Sequence, residues 1–212
     1  MSSTTSPIVL IVDDDTRMRA AMQRLLKTIN LPSELFGRPE EFLQYELPDG
    51  PSCLVLDVRL PGMSGLELQS KLIESGVQIP IIFIAGHADI PMTVKAMKSG
   101  AVEFLTKPFR DQDFIDAVQQ ALKRDSEMKQ QRKEVAELKE RYATLTARER
   151  EVMLLIVSGM LTKQIASALG TTEVTAAVHR GQVMHKMQAN SPAELGRMAE
   201  KLKLPDSLTL DR

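Results

Sequence analysis

Five short apolar runs, at residues 8–12, 35–36, 53–56, 79–84 and 104–105, punctuate the first half of this chain, with helix-patterned segments between them. Runs that short, bounded by acidic or turn residues, fit strands buried on both faces, because a buried helix needs about ten residues or more. Met18, Met22, Leu25, Leu26 and Ile29 fall at helical spacing after the first run, and Phe114, Val118, Ala121 and Leu122 do so after the last. Strands alternating with helices predict five βα units. Right-handed crossovers then favour an α/β fold of the doubly wound, parallel-sheet kind. Such a sheet binds its ligand beyond the carboxyl ends of the strands, at the switch in strand order. The residues at those ends therefore carry the functional reading.

Beyond Leu122 the chain becomes polar and helix-forming, with neither Gly nor Pro from residue 123 to 141. An unbroken helix over 110–143 would be about 50 Å long. Met128, Val135 and Tyr142 recur at heptad spacing with Leu138 and Leu145 on the alternate seam, and Gln131 interrupts them. Two readings stay open, a dimeric coiled coil or an exposed helical spacer. Four or so short helices follow to residue 204, and the tail from Pro205 is expected to be loose. Thr146 and Glu149 have capping-box spacing and start a helix that turns Val152, Leu155 and Ile156 inward. A second helix from near Thr162 turns Ile165, Ala166 and Leu169 inward and stops at Gly170. Thr171 or Thr172 then caps a third, running to about Met187. The expected parts are residues 1–122, a helical linker over 123–144, and an all-α domain over 145–212.

At 212 residues, 43% hydrophobic and 26% charged, the chain has material for two modest cores. No stretch approaches the roughly 18 to 20 apolar residues of a membrane span, and the polar first seven residues differ from a secretory signal, so a cytoplasmic protein is expected. Cys53, the one cysteine, reads as a small core residue. Charge is uneven: 11 basic residues face 16 acidic ones through residue 120, and 16 face 12 beyond it. That mild basic excess is compatible with a nucleic-acid partner but does not establish one.

Asp13 and Asp14 end the first run and Asp57 the third, so the expected fold gathers three carboxylates at one edge. Such crowding needs a cation, and oxygen ligands of this kind suit Mg²⁺. Lys107, after the fifth run, adds a positive charge to the same edge. Metal and lysine together would offset charge on a phosphoryl group moving to a carboxylate nucleophile, which predicts an aspartyl phosphate. Singly, each aspartate would be a turn or helix cap and the lysine a solvated side chain. Their conjunction carries the reading.

Residues 8–15, 54–62 and 104–109 resemble the response-regulator receiver pattern over about the first 120 residues. The resemblance implies that Asp57 is the phosphoacceptor, that Asp14 and Asp57 bind Mg²⁺ directly with the Arg59 carbonyl, and that Asp13 holds a metal-bound water. It further implies that Lys107 contacts the phosphoryl group and that the Lys107–Pro108 bond is cis. One position departs: Ala85 stands where receivers usually carry Thr or Ser, whose hydroxyl bonds the phosphoryl oxygen. Phe104 reads equally as the switch aromatic and as a core residue.

Residues 145–151, 159–170 and 178–187 resemble the LuxR-type helix-turn-helix, in its FixJ-like branch. That resemblance implies a recognition helix over 173–187, with Lys163, Thr175, His179, Arg180 and Lys186 on phosphates. Thr172, Ala177, Val178 and Gln182 complete the expected DNA-facing set. Ala176 and Ala177 depart from the family's Val and polar residue, and Gly181 lies one turn on. Base readout would then rest on thymine methyls, on Arg180 or Gln182, and on DNA shape; the alternative is reduced site affinity. Together the motifs imply a transcription factor, not a metabolic enzyme. Its expected partners are a sensor histidine kinase, double-stranded DNA, RNA polymerase, and a second copy paired through residues 91–104 and the linker helix, with no membrane. Rival readings are a receiver working through protein contacts alone, an aspartyl-nucleophile phosphohydrolase suggested by Asp13-x-Asp15, and a flavodoxin-like domain.

Overall fold

Five strands, β1 (Ile8–Val12), β2 (Ser33–Phe36), β3 (Ser52–Asp57), β4 (Ile81–Ala85) and β5 (Glu103–Thr106), form one parallel sheet in the order β2-β1-β3-β4-β5. The computed structural model describes residues 6–86 and 90–204. Alternate side chains of the buried strands serve opposite faces, as the two-residue period of a strand requires. Leu10, Val12, Leu54, Leu56, Ile81, Phe83 and Ala85 join one core with Phe42, Leu68, Leu72 and Ala96. Val9, Ile11, Cys53, Val55, Ile82 and Ile84 join the other with Met22, Leu26, Phe114, Val118 and Ala121. The first face is thus covered by α2 (Pro39–Leu43), α3 (Gly65–Glu74) and α4 (Ile90–Lys98), and the second by α1 (Thr16–Thr28) and the start of α5 (Asp111–Ala143). This is the doubly wound arrangement expected from the alternating runs.

The strand limits shift for local reasons. β2 gains Ser33 and Glu34, whose backbones pair with Val9 and Leu10 although neither side chain is apolar. β4 begins after Pro80, which offers a carbonyl to the Leu54 amide at 2.9 Å but has no N–H to continue the ladder. Cys53 lies opposite Val9 in the sheet and is fully buried, and burial pushes its thiol well above the ordinary range.

The chain divides into two compact units inside α5, at Lys129 and Gln130. α5 itself is a single 33-residue helix. Within the first unit, buried Asp125 accepts the Ser52 amide at 2.7 Å and pairs with Lys129 at 2.9 Å, and Lys129 also donates to the Pro48 and Gly50 carbonyls. Nothing in the sequence pattern announced this clasp at the amino end of β3. The second unit contains α6 (Ala147–Val157), α7 (Thr162–Ala168), α8 (Glu173–Met187) and α9 (Pro192–Lys201). Thr146 and Glu149 make the expected capping box, and Thr172, the second of the two threonines considered, caps α8. Val152, Leu155, Ile156, Ile165 and Ala166 are buried as expected, in one core with Val183, Met187 and Leu195. The tail from Pro205 lies outside the described residues.

Part of the apolar seam in the linker is engaged within its own chain. Leu138 and Leu145 are buried within the second unit, and Tyr142 packs on its core with the Arg150 guanidinium 5.1 Å from its ring centroid. Leu138 lines a groove with Glu194, Arg197, Met198 and Lys201 of α9. Leu138, Tyr142 and Leu145 of the seam therefore pack within the same chain, whereas Met128 and Val135 stay half-buried.

Gly65 opens α3 directly beneath β3. A Cβ there would stand 2.3 Å from the Asp57 carbonyl oxygen, closer than atoms tolerate, while the Gly65 amide donates to the Val58 carbonyl at 3.0 Å. Gly65→Ala should force α3 away from β3 and destabilise the fold by about 1–3 kcal/mol, the usual cost of overpacking. Chemical denaturation of the variant checks this; unchanged stability would mean that the approach relaxes freely.

Candidate functional site

Register alone gathers the acidic groups. Val12 pairs with Leu56, so Asp13, next after β1, and Asp57, last in β3, emerge side by side where the strand order switches. Ligand oxygens of Asp13, Asp14 and Asp57 lie within 4.8 Å of one another, with Asp13 and Asp57 buried and Asp14 exposed. Across the sheet, Ala85 pairs with Thr106, and the Lys107 amide donates to the Ala85 carbonyl at 2.8 Å. The Lys107 ammonium reaches back from there, 2.8 Å from Asp13 Oδ2 and 2.5 Å from Asp57 Oδ2. The Lys107–Pro108 bond is cis, as the resemblance implies.

The second carboxylate oxygens are held by the backbone: Asp13 Oδ1 accepts the Asp15 amide and Asp57 Oδ1 the Arg59 amide, each at 2.8 Å. Arg19 donates to the Asp13 carbonyl. Burial raises the Asp13 carboxyl above its ordinary range, and the hydrogen bonds from Lys107 and Asp15 offset this only in part. Burial would lower Lys107, but its bonds to Asp13 and Asp57 outweigh that and raise it. The two buried carboxylates that hold this ammonium, with a third exposed one, are hard oxygen donors of the kind divalent cations take. Asp15 is spent elsewhere: its side chain caps α1 by accepting the Arg17 and Met18 amides, which accounts for the Asp-x-Asp spelling. Ala85 is buried on the face shared with Phe83, and half-buried Phe104 packs there with its ring 6.1 Å from that of Phe83.

In the second unit, α8 turns Ala176, Val183 and Met187 into the core. Ala176 is thus a packing residue, correcting the expectation that its small side chain bears on base contact. Ala177, Val178 and Gln182 are exposed, and His179 and Arg180 half-buried, while Lys163 is exposed on α7. The Thr172 and Thr175 hydroxyls bond each other at 2.9 Å at the α8 amino end. Val174, absent from the sequence reading, is 75% exposed on the same helix. Its signal lay in the helical phase set by Ala176, Val183 and Met187.

Lys186 also has a partner inside the domain. Its ammonium donates to buried Glu149 at 2.7 Å, tying the end of α8 to the capping box of α6. The bond from Lys186, then that from the Thr146 amide, holds Glu149 below the usual carboxylate range.

Residues 9–119 match the response regulator receiver domain, and residues 143–199 match bacterial regulatory proteins of the luxR family. Nodulation protein W of Bradyrhizobium diazoefficiens is 50% identical over 94% of this chain and 88% of its own length. The response regulator StyR, of known structure, is 44% identical, with a TM-score of 0.83 over 93% of this chain and all of that one. Full-length FixJ from B. japonicum is 35% identical with a TM-score of 0.58, covering 95% of this chain and all of that one. No helix among the described residues is long and apolar enough to cross a membrane.

The Glu149–Lys186 pair makes the second unit sensitive to acid. A carboxylate held below its ordinary value of about 4.3 contributes stability fully present above that value and lost as pH falls through the folded one. The melting temperature of that unit should fall between about pH 5 and pH 3. Lys186→Met should lower it at pH 7 and shrink the acid decline, so that the two proteins converge at low pH. A difference that stays constant across thermal melts over this range would show that the ion pair is not the cause.

Proposed function

The chain belongs to the response regulators that join a receiver to a LuxR-type DNA-binding domain, and from that footing we propose that phosphorylation of Asp57 by a sensor histidine kinase controls its binding to promoter DNA. The Lys107 ammonium shared between Asp13 and Asp57 supports this most directly, because it places a cation where phosphoryl oxygens would arrive. In this reading an Asp57 carboxylate oxygen bonds to phosphorus as the P–N bond of the kinase phosphohistidine breaks and the imidazole keeps the electron pair. Lys107 keeps its hold on Asp13 while turning to a phosphoryl oxygen. The Arg59 amide holds the other Asp57 oxygen, which fixes the nucleophile in line.

Mg²⁺ fits the donor set. Asp14, Asp57 and the Arg59 carbonyl would hold it directly and Asp13 through a water, and the ion would supply positive charge to the phosphoryl oxygens. The receiver, linker and output segments would be residues 1–122, 123–144 and 145–212. Two phosphorylated copies would pair through α4 and β5, where Ile90, 81% exposed, and Val94 and Met97 form an apolar face that the described residues leave uncovered. Two α8 helices then occupy successive half-sites of one operator, presented to RNA polymerase from the cytoplasm.

Ala85 modifies this scheme. It has no hydroxyl to pull toward a phosphoryl oxygen, a bond worth about 1.5–3 kcal/mol to a charged group. Phosphorylation therefore shifts the conformational balance less, and Phe104 is less firmly driven inward. This one observation favours a second reading, a receiver signalling by protein contacts without phosphate.

Treatment with a small phosphodonor and Mg²⁺ should add the mass of one phosphoryl group to the wild type and none to Asp57→Asn. Phosphorylated Ala85→Thr should dimerise at least about tenfold more tightly than the phosphorylated parent, the factor that one such bond is worth. Mass spectrometry and sedimentation check the two outcomes. No mass gain favours the phosphate-free reading, and an unchanged dimer constant removes the role given to residue 85.

A further inference from the structure

α8 carries an unusual outward face. At about 100° per residue, the direction opposite buried Ala176, Val183 and Met187 is occupied by Val174, Val178 and Gly181, with Ala177 beside them. Val174 is 75% and Val178 57% exposed, and a Cβ added at Gly181 would meet nothing within 4 Å. None of these four residues has a side-chain group able to donate or accept a hydrogen bond; His185, one turn farther, is the first on that line that has one. The polar residues sit off the line. Gln182 lies to one side, whereas His179 and Arg180 are half-buried nearer the domain surface. That position suits them to the phosphate walls of a groove rather than its floor.

An exposed pair of valines is hard to explain by folding, since neither contributes to the core. Glycine in a helix interior is likewise unfavourable relative to alanine, and here no neighbour demands it. What the two features share is a fit to one surface. The floor of the major groove presents an apolar group only at thymine, through its 5-methyl. We propose, building on the DNA-binding reading above, that Val174, Ala177 and Val178 select operator thymines by contact with their methyl groups. The notch at Gly181 lets the groove floor approach the helix backbone. In this proposal Arg180 and Lys163 position the helix by phosphate contact without reading sequence.

The experiment uses the full chain, with and without phosphodonor, to enrich duplexes from a random library. The preferred duplex is then remade with uracil for thymine, which removes the methyl groups and leaves every Watson–Crick pair intact. Affinity should fall about fourfold for each methyl lost from a buried contact. Val178→Ala should weaken binding to the thymine duplex by a similar factor and lose little more on the uracil duplex. Gly181→Ala should raise the melting temperature while weakening the enriched site, which separates a filled notch from a damaged fold. Arg180→Ala should weaken both duplexes equally and flatten the salt dependence. Equal affinity for thymine and uracil duplexes would overturn the methyl contact and leave DNA binding standing. Failure to enrich or bind any duplex under either condition would overturn both.

Discussion

Like charges crowd the carboxyl edge of the sheet, and everything at that edge answers to the need to hold them there. Parallel pairing of β1 with β3 sets Asp13 beside Asp57 whatever their side chains prefer. Removing two carboxylates from water is costly unless a cation and hydrogen bonds compensate. One ammonium, delivered from the end of β5, serves both, and two backbone amides take the remaining oxygens. One ammonium does not balance two carboxylates, and Asp14 stands exposed beside them as a third. A site so built has the hard oxygen donors that divalent cations take.

The second unit solves a different problem with the same economy. Its small core is closed by apolar residues of all four short helices and by the last turns of α5. The capping box at Thr146 is joined to the far end of α8 through Glu149 and Lys186, so one buried carboxylate fixes both the start of α6 and the placement of α8. The face that α8 leaves outward is then defined by rigid neighbours. Specificity written on such a face depends on side-chain shape more than on rearrangement.

What could be read from residues alone followed locality. The sheet, its order-reversal point and the trio Asp13, Asp57 and Lys107 were legible because strand ends and topology rules place them. The α6 cap was legible because its partners are three residues apart. Ala176 was misread because a family pattern marks it by position, whereas its phase with Val183 and Met187 sends it inward. The α5 seam announced apolar packing at Leu138 and Tyr142 but not the surface that takes them up, since heptad spacing is equally satisfied by a second copy or by their own domain. Lys186 and Glu149, and Asp125 and Ser52, meet only after folding, at separations of 37 and 73 residues, where no periodicity connects them.

The lone sulfhydryl sits mid-sheet, flanked by β1 and β4, with its proton held tightly by the apolar surroundings. Oxidants and alkylating reagents act on thiolates that solvent can reach. The chain therefore contains its own clock for opening of the α/β core: capture of Cys53 by a reagent is timed by how often the sheet parts, and leaves α6 to α9 out of the count.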